Sequence, residues 1–237
     1  MRVQGSRKKQ RFINLKMKII IAVATYKEVE PFLLIHIPAH NSNKKCFEFV
    51  YKNASINILI TGVGMVETSY RLTKFLTSND FDFCLNIGIC GSFNYNLALG
   101  SVVNIYQDTL SELGAENGNA FLSLDSINLA GVSSVVNYSE SNFDEINILP
   151  KVNGITVNTV HGNNSSIEKV ITRLNPVTES MEGFSFMYVC NEFKLPYFQI
   201  RAVSNYVEAR NKDAWDIKLA IKNINDFLIK FIYSVAN

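Results

Sequence analysis

No apolar run in this 237-residue chain approaches the roughly 18 residues needed to cross a bilayer as a helix, so no helical span is expected. Cysteine is scarce. Cys46, Cys84, Cys90 and Cys190 are scattered and fall mostly in apolar runs, which predicts reduced, buried thiols of a cytoplasmic protein rather than a disulfide framework. Only three histidines occur. His36 and His40 are four apart, but Pro38 between them spoils a shared helix face, and no third ligand completes a metal site. There is no Walker pattern and no Ser/His/Asp arrangement. Gly62-Val-Gly64 lacks the third glycine of a dinucleotide fingerprint, leaving a tight strand-to-helix turn as its ordinary reading.

Charge is also short once its distribution is considered. Six of the 23 basic residues lie in positions 1–16, which hold no acid; the remaining 17 face 21 acidic residues, a net of −4. A mildly acidic body argues against a nucleic-acid surface. The basic head is not followed by the apolar stretch of a signal peptide. It is expected to be a disordered extension upstream of a natural start at Met17.

What is present reads as one domain over 17–237, with no repeat, linker or low-complexity segment. Apolar runs at Lys18–Ala24, Phe83–Ile87 and Pro196–Val203 predict strands buried on both faces. Cys46–Tyr51 and Ile56–Thr61 predict a hairpin, Ser101–Tyr106 another strand reached through Gly100, and Ala120–Leu124 and Gly154–Val160 two more. Helices are predicted from Pro31, over Met65–Leu76, over Ser166–Leu174, after Glu182, and over Ala214–Val235. Two strand pairs join without a crossover helix. The fold class is therefore α/β, a single three-layer α/β/α domain around a mixed β-sheet.

Two polar groups stand where apolar elements begin or end: Glu182 at the entrance of a helix and Asn205 just past a strand. Glu28 has a similar place after the first strand. Each has an ordinary reading, a helix-start acid for Glu182 and a solvated one for Glu28. Gly88–Gly91 sits at a strand's carboxyl end, where open α/β sheets bind ligands. His161 lies beyond a strand and reads equally well as a site residue or a loop residue.

Five segments, taken together and in order, resemble the purine nucleosidase and nucleoside phosphorylase superfamily. They are Met17-Lys-Ile-Ile-Ile-Ala-Val-Ala with Glu28, Thr61-Gly-Val-Gly64, Asn86-Ile-Gly-Ile-Cys-Gly91, Ser180-Met-Glu-Gly183 and Ile200-Arg-Ala-Val-Ser-Asn205. The resemblance spans 17–235. Val157-Asn-Thr-Val-His-Gly162 and Ser204 to Asp216 are most similar to its futalosine hydrolase branch, whose enzymes serve an alternative menaquinone route.

The resemblance implies a nucleoside phosphorylase-like fold and hydrolysis of a purine N-glycosidic bond, with no cofactor or metal. It implies that Glu182 grips the ribose beside Met181, that Glu28 activates water, and that Asn205 addresses the purine. Ile89, Cys90, Gly91 and His161 would complete the substrate wall. Phe184 stands in for a base-stacking aromatic, and Arg210 is the candidate cation for a distal aryl carboxylate. Phosphorylases of the superfamily carry an arginine where Glu28 stands, and an arginine and a serine where Asn86 and Ile89 stand, so water is the expected nucleophile. Adenine-releasing members place an aspartate where Asn205 stands. An amide hydrogen-bonds but delivers no proton, which suits a 6-oxopurine such as hypoxanthine. The implied partner is a small-molecule nucleoside, with no nucleic acid or membrane, in a homo-oligomer. The alternatives are a methylthioadenosine/S-adenosylhomocysteine nucleosidase, a purine nucleoside phosphorylase, or a non-enzymatic nucleoside-binding protein.

Overall fold

The structure is a computed structural model that describes residues 17–38 and 41–235. The basic head and His40 lie outside the described residues. In chain order the elements are β1 (Met17–Val23), α1 (Tyr26–His36), β2 (Cys46–Tyr51), β3 (Ala54–Ile60), α2 (Met65–Thr77), β4 (Phe83–Ser92) and β5 (Val102–Leu110). A small hairpin, β6 (Gly114–Asn117) and β7 (Ala120–Ser123), precedes β8 (Ser134–Val136), α3 (Asp144–Asn147) and β9 (Lys151–Thr156). Then come α4 (Asn164–Leu174), β10 (Thr178–Ser180), α5 (Gly183–Glu192), β11 (Tyr197–Tyr206) and α6 (Ile217–Val235).

The main sheet runs β10-β9-β5-β11-β4-β1-β3-β2, with β8 paired to β5. β3, β1, β4 and β11 are mutually parallel, whereas β2 and β5 run against their neighbours β3 and β11. The sheet is mixed, as the hairpin and the helix-free turn at Gly100 predict. β10 also pairs antiparallel with the end of β4, Thr178 opposite Ser92 and Glu179 opposite Gly91, so that half of the sheet curls back on itself.

Both faces are covered, which explains the unbroken apolar runs. Along β1, Ile19, Ile21 and Val23 pack into one core with Phe32, Leu33, Ile224, Phe227 and Phe231 of α1 and α6. Ile20 and Ala22 point the other way, into a core with Leu72 and Leu76 of α2 and Phe186 and Met187 of α5. Each such large side chain contributes roughly 1.5–3 kcal/mol by leaving water.

Several boundaries differ from the predicted ones. The first helix starts at Tyr26, before Pro31, because a capping box begins it: the Glu28 carboxylate accepts the Thr25 N–H at 2.8 Å. Pro31 thus sits inside α1, and the buried amide of Asn225 on α6 serves the turn around it. Asn225 Oδ1 accepts from Phe32 N–H at 3.1 Å while its Nδ2 donates to the Glu28 carbonyl at 2.8 Å. These two backbone groups are the ones that an α-helix ordinarily pairs with each other. The closing helix begins at Ile217 rather than Ala214, because Asp216 caps it through Leu219 N–H at 2.9 Å. β4 runs through both glycines to Ser92, and β9 lies three residues earlier than the predicted Gly154 start. α4 begins at Asn164, two residues before the predicted Ser166, because Asn163 caps it by accepting the Ser165 N–H at 3.0 Å and the Ser166 N–H at 3.4 Å.

Candidate active site

At the carboxyl ends of β1, β4 and β11 lies a cavity of about 420 Å³. The sheet supplies Ala24, Ile89, Cys90, Gly91, Ser204 and Asn205; the ends of β10 and α5 supply Ser180, Met181 and Glu182. Glu28, His161 and Arg210 also line it, so nine of the ten sequence-predicted site residues come together.

Phe184 is the exception. Its ring is buried in the core between sheet and helices and stacks on Tyr188 at 5.9 Å, while its backbone N–H donates to Thr156 Oγ1 at 2.7 Å. The ring belongs to the core with Leu72 of α2 and Ile20 of β1 and does not line the cavity, so Phe184 is no base-stacking residue in this arrangement. The cavity's indole is Trp215 instead, with the Arg210 guanidinium over its ring at 5.5 Å. Lys27 adds a second cation to the lining.

Glu182 occupies the N-cap position of α5 without capping it. Ser180 Oγ accepts the Gly183 N–H at 3.3 Å, and Glu182 Oε1 reaches across to Gly64 N–H at 2.9 Å. Its reading as an ordinary helix-start acid therefore fails. Gly62 and Gly64 do form the tight turn into α2, at φ +94° and +89°, and the turn aims an amide at the carboxylate. Below α5, Asp108 accepts from Thr156 Oγ1 at 2.7 Å and Gln199 Nε2 at 3.0 Å. A Cβ on Gly183 would lie 2.2 Å from Asp108 Oδ2, so only glycine lets the helix start rest there. Burial pushes the Asp108 carboxyl up to about 6 against the pull of those hydrogen bonds.

Glu28 is 7% exposed, as is Glu182. Its Oε2 accepts from Thr25 N–H and from Thr25 Oγ1 at 3.0 Å, and Oε1 accepts from Ile89 N–H at 3.3 Å. Burial raises its pKa above the ordinary glutamate value; Arg201 opposes the rise, Glu182 adds to it, and the Thr25 hydrogen bonds oppose it. An arginine inside an apolar strand is itself a signal, and Arg201 is such a residue. It is 1% exposed, donates through Nη2 to Asn86 Oδ1, and leaves Nε without a partner among the described residues. A Cβ on Gly88 would lie 2.2 Å from Arg201 Nη1 and 2.9 Å from Glu28 Oε1, so this glycine makes room for both charged groups.

Asn205 lies inside β11 rather than past it. The register with β4 slips between Val203 and Asn205, a bulge at Ser204, and brings two consecutive side chains to the same cavity. Ser204 Oγ lies 2.8 Å from Asn205 Oδ1 and 3.1 Å from the Cys90 carbonyl, while Asn205 Nδ2 donates to the Tyr206 carbonyl at 3.0 Å. Among the described residues no group of His, Cys, Asp or Glu could hold a metal ion, and His36 ends α1 stacked on Phe32.

The family model described as "Phosphorylase superfamily" matches residues 18–233, and the chain belongs to that superfamily. Among curated relatives, the chain is 26% identical over 182 residues to the futalosine hydrolase of Acidothermus cellulolyticus, covering 74% of each chain. It is likewise 26% identical over 183 residues to that of Streptomyces coelicolor, covering 72% of this chain and 75% of the relative. Two solved Helicobacter pylori structures share the fold. Its futalosine hydrolase superposes with a TM-score of 0.72 at 16% identity, covering 92% of this chain and 98% of that one. Its 5'-methylthioadenosine/S-adenosylhomocysteine nucleosidase with butyl-thio-DADMe-Immucillin-A gives 0.78, also at 16% identity and with the same coverage.

Proposed function

We propose that this cavity hydrolyses the N-glycosidic bond of futalosine and releases hypoxanthine. The observation that carries the reading is the meeting of two buried carboxylates, Glu28 and Glu182, with the Asn205 amide in one cavity. Loss of a purine leaves positive charge on the ribosyl ring. Glu182, fixed by Gly64, holds the sugar hydroxyls beside the Met181 backbone and stabilises that charge. Glu28, oriented by Thr25 and Ile89, takes a proton from the attacking water. A phosphate dianion in that place would face both carboxylates, and the buried Arg201 is already engaged with Asn86. Water is therefore the favoured nucleophile.

Ile89, Cys90 and Gly91 form the wall along the purine, and Asn205 hydrogen-bonds it. Arg210 and Lys27 are the cations available to a distal carboxylate, with Trp215 as the adjoining apolar surface. Curated relatives named futalosine hydrolase support the substrate assignment, and with it a place in menaquinone synthesis. The same reading has the protein act in the cytoplasm as a homo-oligomer.

The test is base release from futalosine, inosine and 5'-methylthioadenosine, with and without phosphate, followed by chromatography. Hypoxanthine from futalosine without phosphate is the expected main product. Adenine from methylthioadenosine as the dominant product, or a phosphate requirement, would overturn the reading.

A further inference from the structure

Glu179, which is buried, and His161, which is partly exposed, form a pair that the reaction as described leaves unused. His161 Nδ1 lies 2.6 Å from Glu179 Oε2, and the His161 backbone N–H donates to Glu179 Oε1 at 3.1 Å. Both carboxylate oxygens are thus spent on fixing one residue. The Glu179 side chain is 3% exposed, and both residues line the cavity. The edge of Phe93 backs the imidazole, with ring centroids 6.1 Å apart. With Nδ1 committed to the carboxylate, Nε2 is the free ring atom, and among the described residues it has no hydrogen-bond partner. The pair also stands at the Asn205 end. The point that a Cβ on Gly91 would occupy is 3.3 Å from Asn205 Nδ2 and 3.4 Å from Glu179 Cγ.

We propose that His161 donates the proton to the departing purine through Nε2, and that Glu179 is the positioning residue holding its Nδ1 proton. The proposal rests on the nucleosidase reading. It supplies the proton that Asn205, an amide, cannot deliver. The bond between the sugar C1′ and the purine N9 breaks, and its electron pair passes onto the base. The Nε2 proton of the imidazolium moves to the free nitrogen of the purine's five-membered ring. The water oxygen bonds to C1′, and the water's proton goes to Glu28. One proton passing through solvent from Glu28 to His161 restores both groups. The carboxylate on Nδ1 holds the ring in one orientation and leaves Nε2 as the atom that faces the substrate's proton acceptor.

Glu179 is the titratable group bonded to the ring, and Lys27, Glu28, Cys90, Glu182 and Arg210 line the same cavity. Glu179 comes from β10. Cys90 comes from β4, its thiol kept neutral because burial pushes it up to about 12. Arg210 comes from the segment after β11, with its backbone N–H on the Gly162 carbonyl at 3.3 Å and its guanidinium turned to Trp215.

The experiment measures kcat and KM against pH for wild type, His161→Gln and Glu179→Gln. It uses whichever of futalosine and inosine wild type cleaves faster, so failure of futalosine as substrate removes the substrate assignment without touching this proposal. For His161→Gln, kcat falls by about 10²-fold with KM little changed, and the alkaline limb of the profile disappears. Glu179→Gln replaces a pure acceptor with an amide that can also donate to Nδ1, so the ring loses its single enforced arrangement and kcat falls by about 10-fold with KM little changed. Retention of wild-type kcat and alkaline limb by His161→Gln overturns the proposal. So does a wild-type kcat in Glu179→Gln when that variant melts at the wild-type temperature.

Discussion

The Glu182 carboxylate and the Gly64 amide, 118 residues apart in the chain, meet at 2.9 Å. Glutamine at 182 keeps the acceptor and loses the charge. Glu182→Gln is expected to fold and melt like wild type while kcat falls by about 10²–10³-fold, the scale of one lost electrostatic contact at a developing charge. Gly64→Ala tests the other half. No atom lies within 4 Å of the added Cβ, so its cost is the backbone alone, at φ +89° and ψ 167°. About 1–3 kcal/mol of stability should be lost, read by denaturant melts, together with part of the activity.

A second prediction concerns pH. Glu28 must be ionised to accept a proton, and burial holds its pKa above the ordinary value of 4.5. Activity therefore falls as pH falls through that raised value, and the acid limb of kcat/KM has its midpoint above 4.5. Glu28→Gln should lower kcat by about 10²–10⁴-fold and abolish the limb. An acid limb that survives unchanged in this variant would assign it to another group.

Gly88→Ala places a Cβ 2.2 Å from the Arg201 guanidinium, which is boxed in and held by Asn86. The guanidinium must move, and Glu28, 2.9 Å from the same point, must move with it. A melting temperature several degrees lower is expected, with loss of at least about 1–3 kcal/mol from overpacking, and activity should fall further than stability explains. Calorimetry with parallel kinetics checks both.

The Asp108 carboxyl makes a prediction about stability rather than rate. Its pKa rises on folding from 3.8 to about 6, so the folded state holds the proton over that window. The group's contribution is fully present below the unfolded value and is lost as pH rises through the folded one. The unfolding free energy of wild type relative to Asp108→Asn should accordingly drop by about 2 kcal/mol between about pH 4 and pH 7. Melts of the two proteins at matched pH give this difference directly.

Much of the fold was legible because the β1, β4 and β11 runs could only belong to strands covered on both faces, and their ends marked where a ligand would lie. Glu28, Glu182 and Asn205 were visible as polar groups at those ends. The Glu182–Gly64 bond was not, since nothing local in either segment encodes a contact across 118 residues. Asn205 reads as lying beyond its strand because a bulge carries no strong sequence signature, yet that bulge brings Ser204 and Asn205 to one cavity. Phe184 was misplaced for a related reason: a helix buried on most sides has no polar face from which to infer where each ring points. Pro31 suggested a helix start where the Thr25–Glu28 capping box begins the helix five residues sooner, with Asn225 from the far end of the chain serving the interrupted turn.

The most direct test of the central claim is to follow futalosine cleavage in phosphate-free buffer made with heavy-oxygen water. Hydrolysis gives stoichiometric hypoxanthine and one labelled oxygen on the sugar product's anomeric carbon. Turnover that appears only when phosphate is added, yielding a sugar phosphate, would contradict it.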